Sequence, residues 1–200
     1  MPQASSNVAA IIGMDPGSFS LGVAVLHFNI ETLQIVSVEA WTLNGVKLAR
    51  EYPWVVELHG DLEGRIHGMR ERLFRTLMYF QPLLVASEAP FISKKFPQAG
   101  LVLTRVVSAV RHAVMQFDVW KTVDFIDPPT VKNAVGVKGN KGGKEGKDEM
   151  AKAVAKLVEN GDIVYTGLTP LAELDEHSID AIAVAYGRFM KWKSDLCLTS

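Results

Sequence analysis

The chain has 200 residues, 48% of them hydrophobic, and a formal net charge of −1. That length and apolar content supply a sizeable core and suit one domain over residues 1–200, while the balanced charge excludes a uniformly basic protein and leaves any nucleic-acid affinity to local patches. The single cysteine, Cys197, excludes a disulfide framework or a cysteine-based zinc site, and neither a signal peptide nor a membrane-length apolar run is present, so a cytoplasmic setting without membrane contact is expected.

In chain order, Ile11-Ile12-Gly13-Met14-Asp15-Pro16-Gly17-Ser18 and the run Leu21–Leu26 predict two antiparallel strands joined by a tight turn. Residues 33–43, with Val, Ile and Trp interleaved among polar residues, predict a third strand. Residues 44–61 hold Gly45, Pro53 and Gly60 and predict an irregular connection. Leu62, Ile66, Met69, Leu73 and Leu77 then recur at helical spacing up to Pro82. Leu83-Leu84-Val85-Ala86-Ser87 is a continuous apolar run bounded by prolines, which suits a strand buried on both faces, and it closes on Glu88.

A second helix is expected at about 98–117, a fifth strand at 122–126, a third helix at about 148–160 and a last one at about 176–192. This order predicts an α/β fold, a mixed five-stranded sheet in which an antiparallel meander is joined by parallel strands and flanked by helices. The right-handed crossover places the fourth strand parallel beside the first, with Asp15 and Glu88 on neighbouring strand ends.

An acid at the mouth of an apolar sheet must be stabilised by a cation or by hydrogen bonds. Asp-Pro-Gly-Ser is also a good turn sequence, so the convergence of further acids decides between a turn cap and a metal ligand. Glu88 repeats the placement of Asp15, and Asp180, flanked by Ile179 and Ala181-Ile182-Ala183, is a third candidate. Asp180 also suits the helix dipole, a role that fits Asp175 and Glu176 better because they come first. His177 lies three residues before Asp180 and shares its helical face, as does the rival Glu176. Carboxylates without cysteines favour Mg2+ or Mn2+, and two such ions clamp the attacking and leaving oxygens of a phosphodiester. His27, His59, His67 and His112 have no comparable context and read as structural.

Residues 132–147 carry Lys132, Lys138, Lys141, Lys144 and Lys147 among glycines, a basic patch suited to close approach to DNA phosphates. By itself such a stretch reads first as a solvated loop, and a neighbouring acidic metal site turns the reading to DNA contact; no Walker spacing for a nucleotide cofactor is present. Lys94 and Lys95 form a second basic element. Phe91 beside them suits base stacking or anchoring of its loop.

Taken together, GMDPGSFSLGVAV, SEAPF, PPTVKNAVG and HSIDAIAVAY, in this order over most of the chain, resemble the RuvC-type Holliday-junction resolvases of the RNase H-like fold. The resemblance implies a homodimer that binds four-way DNA junctions and nicks paired strands by metal-dependent hydrolysis, leaving 5′-phosphate and 3′-hydroxyl ends. It assigns Asp15, Glu88 and Asp180 to metal binding and catalysis, and places His177 where members carry a fourth acid or a histidine, as a further metal ligand or a group that assists proton transfer. Phe91 then matches the aromatic that probes junction bases, and Lys132 and Lys147 match basic residues at the scissile DNA. Residues 41–60 and the Gly/Lys stretch depart from bacterial members and suit a bacteriophage-type one, in which case the setting is the host-cell cytoplasm, or an organelle matrix for an organellar protein. The alternatives are a broader branched-DNA or flap nuclease, a junction-binding module without catalysis, and an actin-like sugar kinase, which needs a second domain that 200 residues cannot hold.

Overall fold

The structure is a computed structural model that describes residues 7–90, 97–137 and 143–198. Five strands, β1 (Val8–Pro16), β2 (Ser20–Asn29), β3 (Gln34–Asn44), β4 (Leu84–Glu88) and β5 (Val123–Ile126), form one sheet in the order β3-β2-β1-β4-β5. The β1/β2 and β2/β3 pairs are antiparallel, and β4 runs parallel to both β1 and β5. The expected meander, the crossover and the parallel placement of β4 beside β1 are all present.

Alternation along the strands divides the core in two. Ile11 of β1, Ala24, Leu26 and Phe28 of β2 and Ala86 of β4 face one side. There they meet α5 (Pro128–Ala134), α6 (Gly143–Glu159) and α7 (Glu176–Leu198) through Val131, Met150, Val154, Ile182 and Phe189. Ile12, Met14, Val23 and Val85 face the other side. There they meet α3 (Asp61–Phe80) and α4 (Pro97–Phe117) through Met69, Leu73, Val106 and Val110. A strand that alternates between two buried faces reads as one continuous apolar run, which is why β1 and β4 look uniformly hydrophobic.

Several boundaries differ from the sequence expectation. The connection expected to be irregular contains two short helices, α1 (Gly45–Ala49) and α2 (Pro53–His59). Asn44 caps α1 by accepting from the Lys47 N–H at 2.9 Å, and Pro53 starts α2 at a position where its missing N–H costs nothing. Helix α5 is likewise capped by Asp127, whose carboxylate accepts from the Thr130 N–H at 3.1 Å. Helix α6 begins at Gly143, inside the Gly/Lys stretch, and not near residue 148. Packing of Met150 and Val154 into the core holds this helix, and tertiary contact outweighs the poor helix propensity of its glycines. Helix α7 runs six residues past the expected end. Among the described residues no helix is long and apolar enough to cross a membrane.

Candidate active site

Asp15 is the penultimate residue of β1 and Glu88 the last of β4. The parallel register pairs Met14 with Ser87, so Asp15 and Glu88 come next on adjacent strands. Both belong to the α7 side of the sheet, by alternation from Ile11 and Ala86. Helix α7 enters over this end of the sheet and brings His177 and Asp180 in its first turns.

Two glycines set how closely α7 approaches. A Cβ on Gly13 would lie 2.5 Å from the Ala181 carbonyl oxygen, and one on Gly22 would overlap the His177 carbonyl. The helix therefore rests on bare strand backbone at both places, lowering its first turns onto the strand ends. The β1–β2 turn packs beneath: a Cβ on Gly17 would be 2.9 Å from His177 Cε1. Sequence reasoning missed these glycines, although an isolated Gly inside a strand pattern signals just such an approach.

The start of α7 is fixed by a second group that sequence reasoning undervalued. Asp175 accepts from the Ser178 N–H at 2.9 Å and from the Thr42 hydroxyl at 2.6 Å, and the Thr42 and Ser178 hydroxyls lie 2.9 Å apart. Burial pushes the Asp175 carboxyl up, but the bonds from Thr42 and Ser178 outweigh it and leave it below the usual range. An N-cap on the helix is thereby tied to β3.

Charge is concentrated where the three elements meet. Burial, then the Asp15 charge and a hydrogen bond to Asp15, then Asp180, push the Glu88 carboxyl up to about 8, against a smaller opposing pull from Lys132. Burial and the Asp15 charge push Asp180 up to about 7. His177 Nδ1 donates to Asp15 Oδ2 at 2.5 Å, and this bond, against the effect of burial, raises the imidazole above its ordinary value. Glu176 stands at the exposed rim, 4.0 Å from His177 Nε2.

Asp15, Glu88, Asp180 and His177 thus share one site, with Lys132 of α5 close enough to act on two of its acids. Lys144 and Lys147 fall on α6. Phe91, Lys94, Lys95, Lys138 and Lys141 lie outside the described residues. Among the described residues no group of three or more His, Cys, Asp or Glu is already arranged to hold a metal ion. Instead Asp15 bonds to His177, and burial with the neighbouring negative charge raises the carboxyls of Glu88 and Asp180. Hard oxygen donors that give up their ordinary acidity for want of positive charge fit a divalent cation such as Mg2+ or Mn2+.

No protein-family model and no curated protein matches the chain. Solved structures do. Thermus thermophilus RuvC in complex with a Holliday-junction substrate is 19% identical with a TM-score of 0.60, over 92% of this chain and 96% of that one. The yeast mitochondrial Holliday-junction resolvase Ydc2 is 14% identical with a TM-score of 0.60, over 94% and 82%. Fowlpox virus resolvase, solved with its junction substrate, is 11% identical with a TM-score of 0.50, over 92% and 98%. Strand order, crossover and covering helices agree with these likenesses, and the chain has the RNase H-like fold of the RuvC-type resolvases.

Proposed function

We propose that the chain is a divalent-metal-dependent endonuclease that resolves four-way DNA junctions as a homodimer, by paired nicks that leave 5′-phosphate and 3′-hydroxyl ends. One observation carries this reading. Three carboxylates from β1, β4 and α7 meet at the strand ends, and two of them are pushed up to about 8 and 7 by burial and mutual repulsion.

Asp15, Glu88 and Asp180 hold the metal, with Mg2+ the expected ion and Mn2+ a substitute. When bound, two such ions supply Lewis acidity at the phosphodiester and an activated water. Asp15 also orients His177: with Nδ1 engaged, the proton that His177 exchanges with the reacting oxygens is the one on Nε2. The Asp175 cap and the glycine contacts hold this imidazole and Asp180 at a set height above the sheet. Lys132, Lys144 and Lys147 supply positive charge for the DNA backbone, with Phe91, Lys94, Lys95, Lys138 and Lys141 assigned to DNA contact on sequence alone.

The test is cleavage of a labelled four-way junction with and without Mg2+, beside a flap and a fork at equal concentration. Magnesium-dependent, symmetric nicking of the junction is expected, and Asp15→Asn abolishes nicking while junction binding persists. Equal rates on all three substrates replace the resolvase by a broader branched-DNA nuclease. Nicking by Asp15→Asn overturns the site, and junction binding without nicking leaves a binding module.

A further inference from the structure

Phe19 stands at the tip of the β1–β2 turn with 59% of its surface exposed, at the end of the sheet that carries the acids. Trp120 and Tyr79 are more exposed, but they precede the amino ends of β5 and β4, at the far end. An exposed ring on a mobile tip would mean little. This tip is held on both sides. The Gly17 N–H donates to the Ser20 carbonyl at 2.8 Å, and the Phe19 carbonyl accepts from the Gly45 N–H at 2.8 Å.

The ring has a cation behind it. The Arg65 guanidinium carbon lies 4.3 Å from the ring centroid. Arg65 itself is only 12% exposed and is ion-paired to Asp61 at 3.0 Å, so it backs the ring from the protein side. The result is a fixed aromatic surface with positive charge beneath it, beside a site for a polyanion.

Chain geometry limits its distance from the chemistry. Asp15 pairs with Gly22 across the hairpin, and Phe19 is three residues from Gly22. At roughly 3.3–3.6 Å per extended residue plus one strand spacing of about 5 Å, Phe19 lies within roughly 16 Å of Asp15. Stacked bases rise about 3.4 Å each, so this reach covers the first few nucleotides on one side of a phosphodiester at the acids.

We propose that Phe19, backed by Arg65, is a stacking platform for one unpaired base of the DNA, within about four nucleotides of the scissile phosphate. This rests on the nuclease reading above and adds a base contact to it. It also gives branched DNA a distinguishing mark, because an intact duplex offers no free base face at that position.

The test is a cycle between protein and DNA. Junction affinity is measured in EDTA, so that binding is read without cleavage, for wild type, Phe19→Ala and Phe19→Trp, each with an intact junction and with junctions abasic at one of the first four nucleotides beside the cut. Stacking of one base corresponds to roughly a five- to hundredfold change in affinity. A loss of about tenfold is expected for Phe19→Ala and for one abasic position with wild type, with no further loss when the two are combined, and Phe19→Trp retains wild-type affinity. Equal affinity of wild type and Phe19→Ala, or losses that multiply at every position, overturns the platform and leaves the nuclease reading standing. Failure of wild type to bind any junction overturns both. Phe19 is exposed, so unchanged melting of Phe19→Ala separates a binding loss from a folding loss.

Discussion

Replacing Glu88 by glutamine should make the metal-free protein more stable. The carboxyl, ordinarily near 4.5, is pushed up to about 8 in the fold, first by burial and then by Asp15 and Asp180. Between those two pH values the folded chain holds a proton that the unfolded chain has released, so stability falls as pH rises through this window and levels off above it. At pH 8 the penalty reaches about 4 kcal/mol, and at pH 5 it is below about 1 kcal/mol. Glutamine keeps the shape and an N–H donor for Asp15 without the charge. For a chain of this size, where 1 kcal/mol moves Tm by roughly 2–4 °C, a rise of at least about 5 °C is expected at pH 8, shrinking to near zero at pH 5. Thermal melts at both pH values read this directly. Adding Mg2+ at pH 8 should raise the Tm of wild type and do much less for Glu88→Gln, because the cation then has one carboxylate fewer. A variant that melts at or below wild type at pH 8, or that gains equally at both pH values, would refute the account of a carboxylate cluster short of positive charge.

Four further outcomes follow from the same geometry. Gly22→Ala sets a methyl against the His177 carbonyl and should cost about 1–3 kcal/mol in a denaturant melt, with nicking reduced far more than overall helicity by circular dichroism. Asp175→Ala removes the α7 cap and its bond to Thr42 and should cost about 1–2 kcal/mol, measured by urea unfolding, with no change in metal-free charge at the acids. Metal affinity should strengthen as pH rises from 6 to 9, since Glu88 and Asp180 must lose protons; calorimetry in buffers of different ionisation enthalpy counts those protons. Charge reversal at Lys144 and Lys147 should weaken junction binding and flatten its dependence on salt, and an unchanged salt slope would return that segment to the role of solvated surface.

The acids were legible in the sequence because each breaks a strong local pattern. Asp15 and Glu88 end apolar runs, and Asp180 interrupts an apolar helix start; a carboxylate in such company has few explanations. The place of β4 beside β1 followed from the long helix α3 that leads into it, because a right-handed crossover sets the strand down parallel to the first. The missed elements lack a period to read. Helices α1, α2 and α5 are five to seven residues long and exist through single caps and a well-placed proline, which resemble loop chemistry in the linear chain. The early start of α6 comes from core packing a turn or more further along. The Asp175–Thr42–Ser178 group joins residues more than 130 positions apart, and each of them alone is an ordinary polar residue.

The strand that carries Asp15 is also the middle strand of the sheet, hydrogen-bonded on both edges and covered on both faces. The residues Ile11–Met14, paired with strands on both sides, expose their amides to solvent deuterium only when the sheet comes apart, whereas those of an edge strand exchange through local fraying. The placing of Asp15 and global folding therefore form one cooperative unit. Heating should extinguish activity and structure on a single curve, with no partly melted form that still cuts. A protease that clips only loops far from β1 should leave the three carboxylates in place.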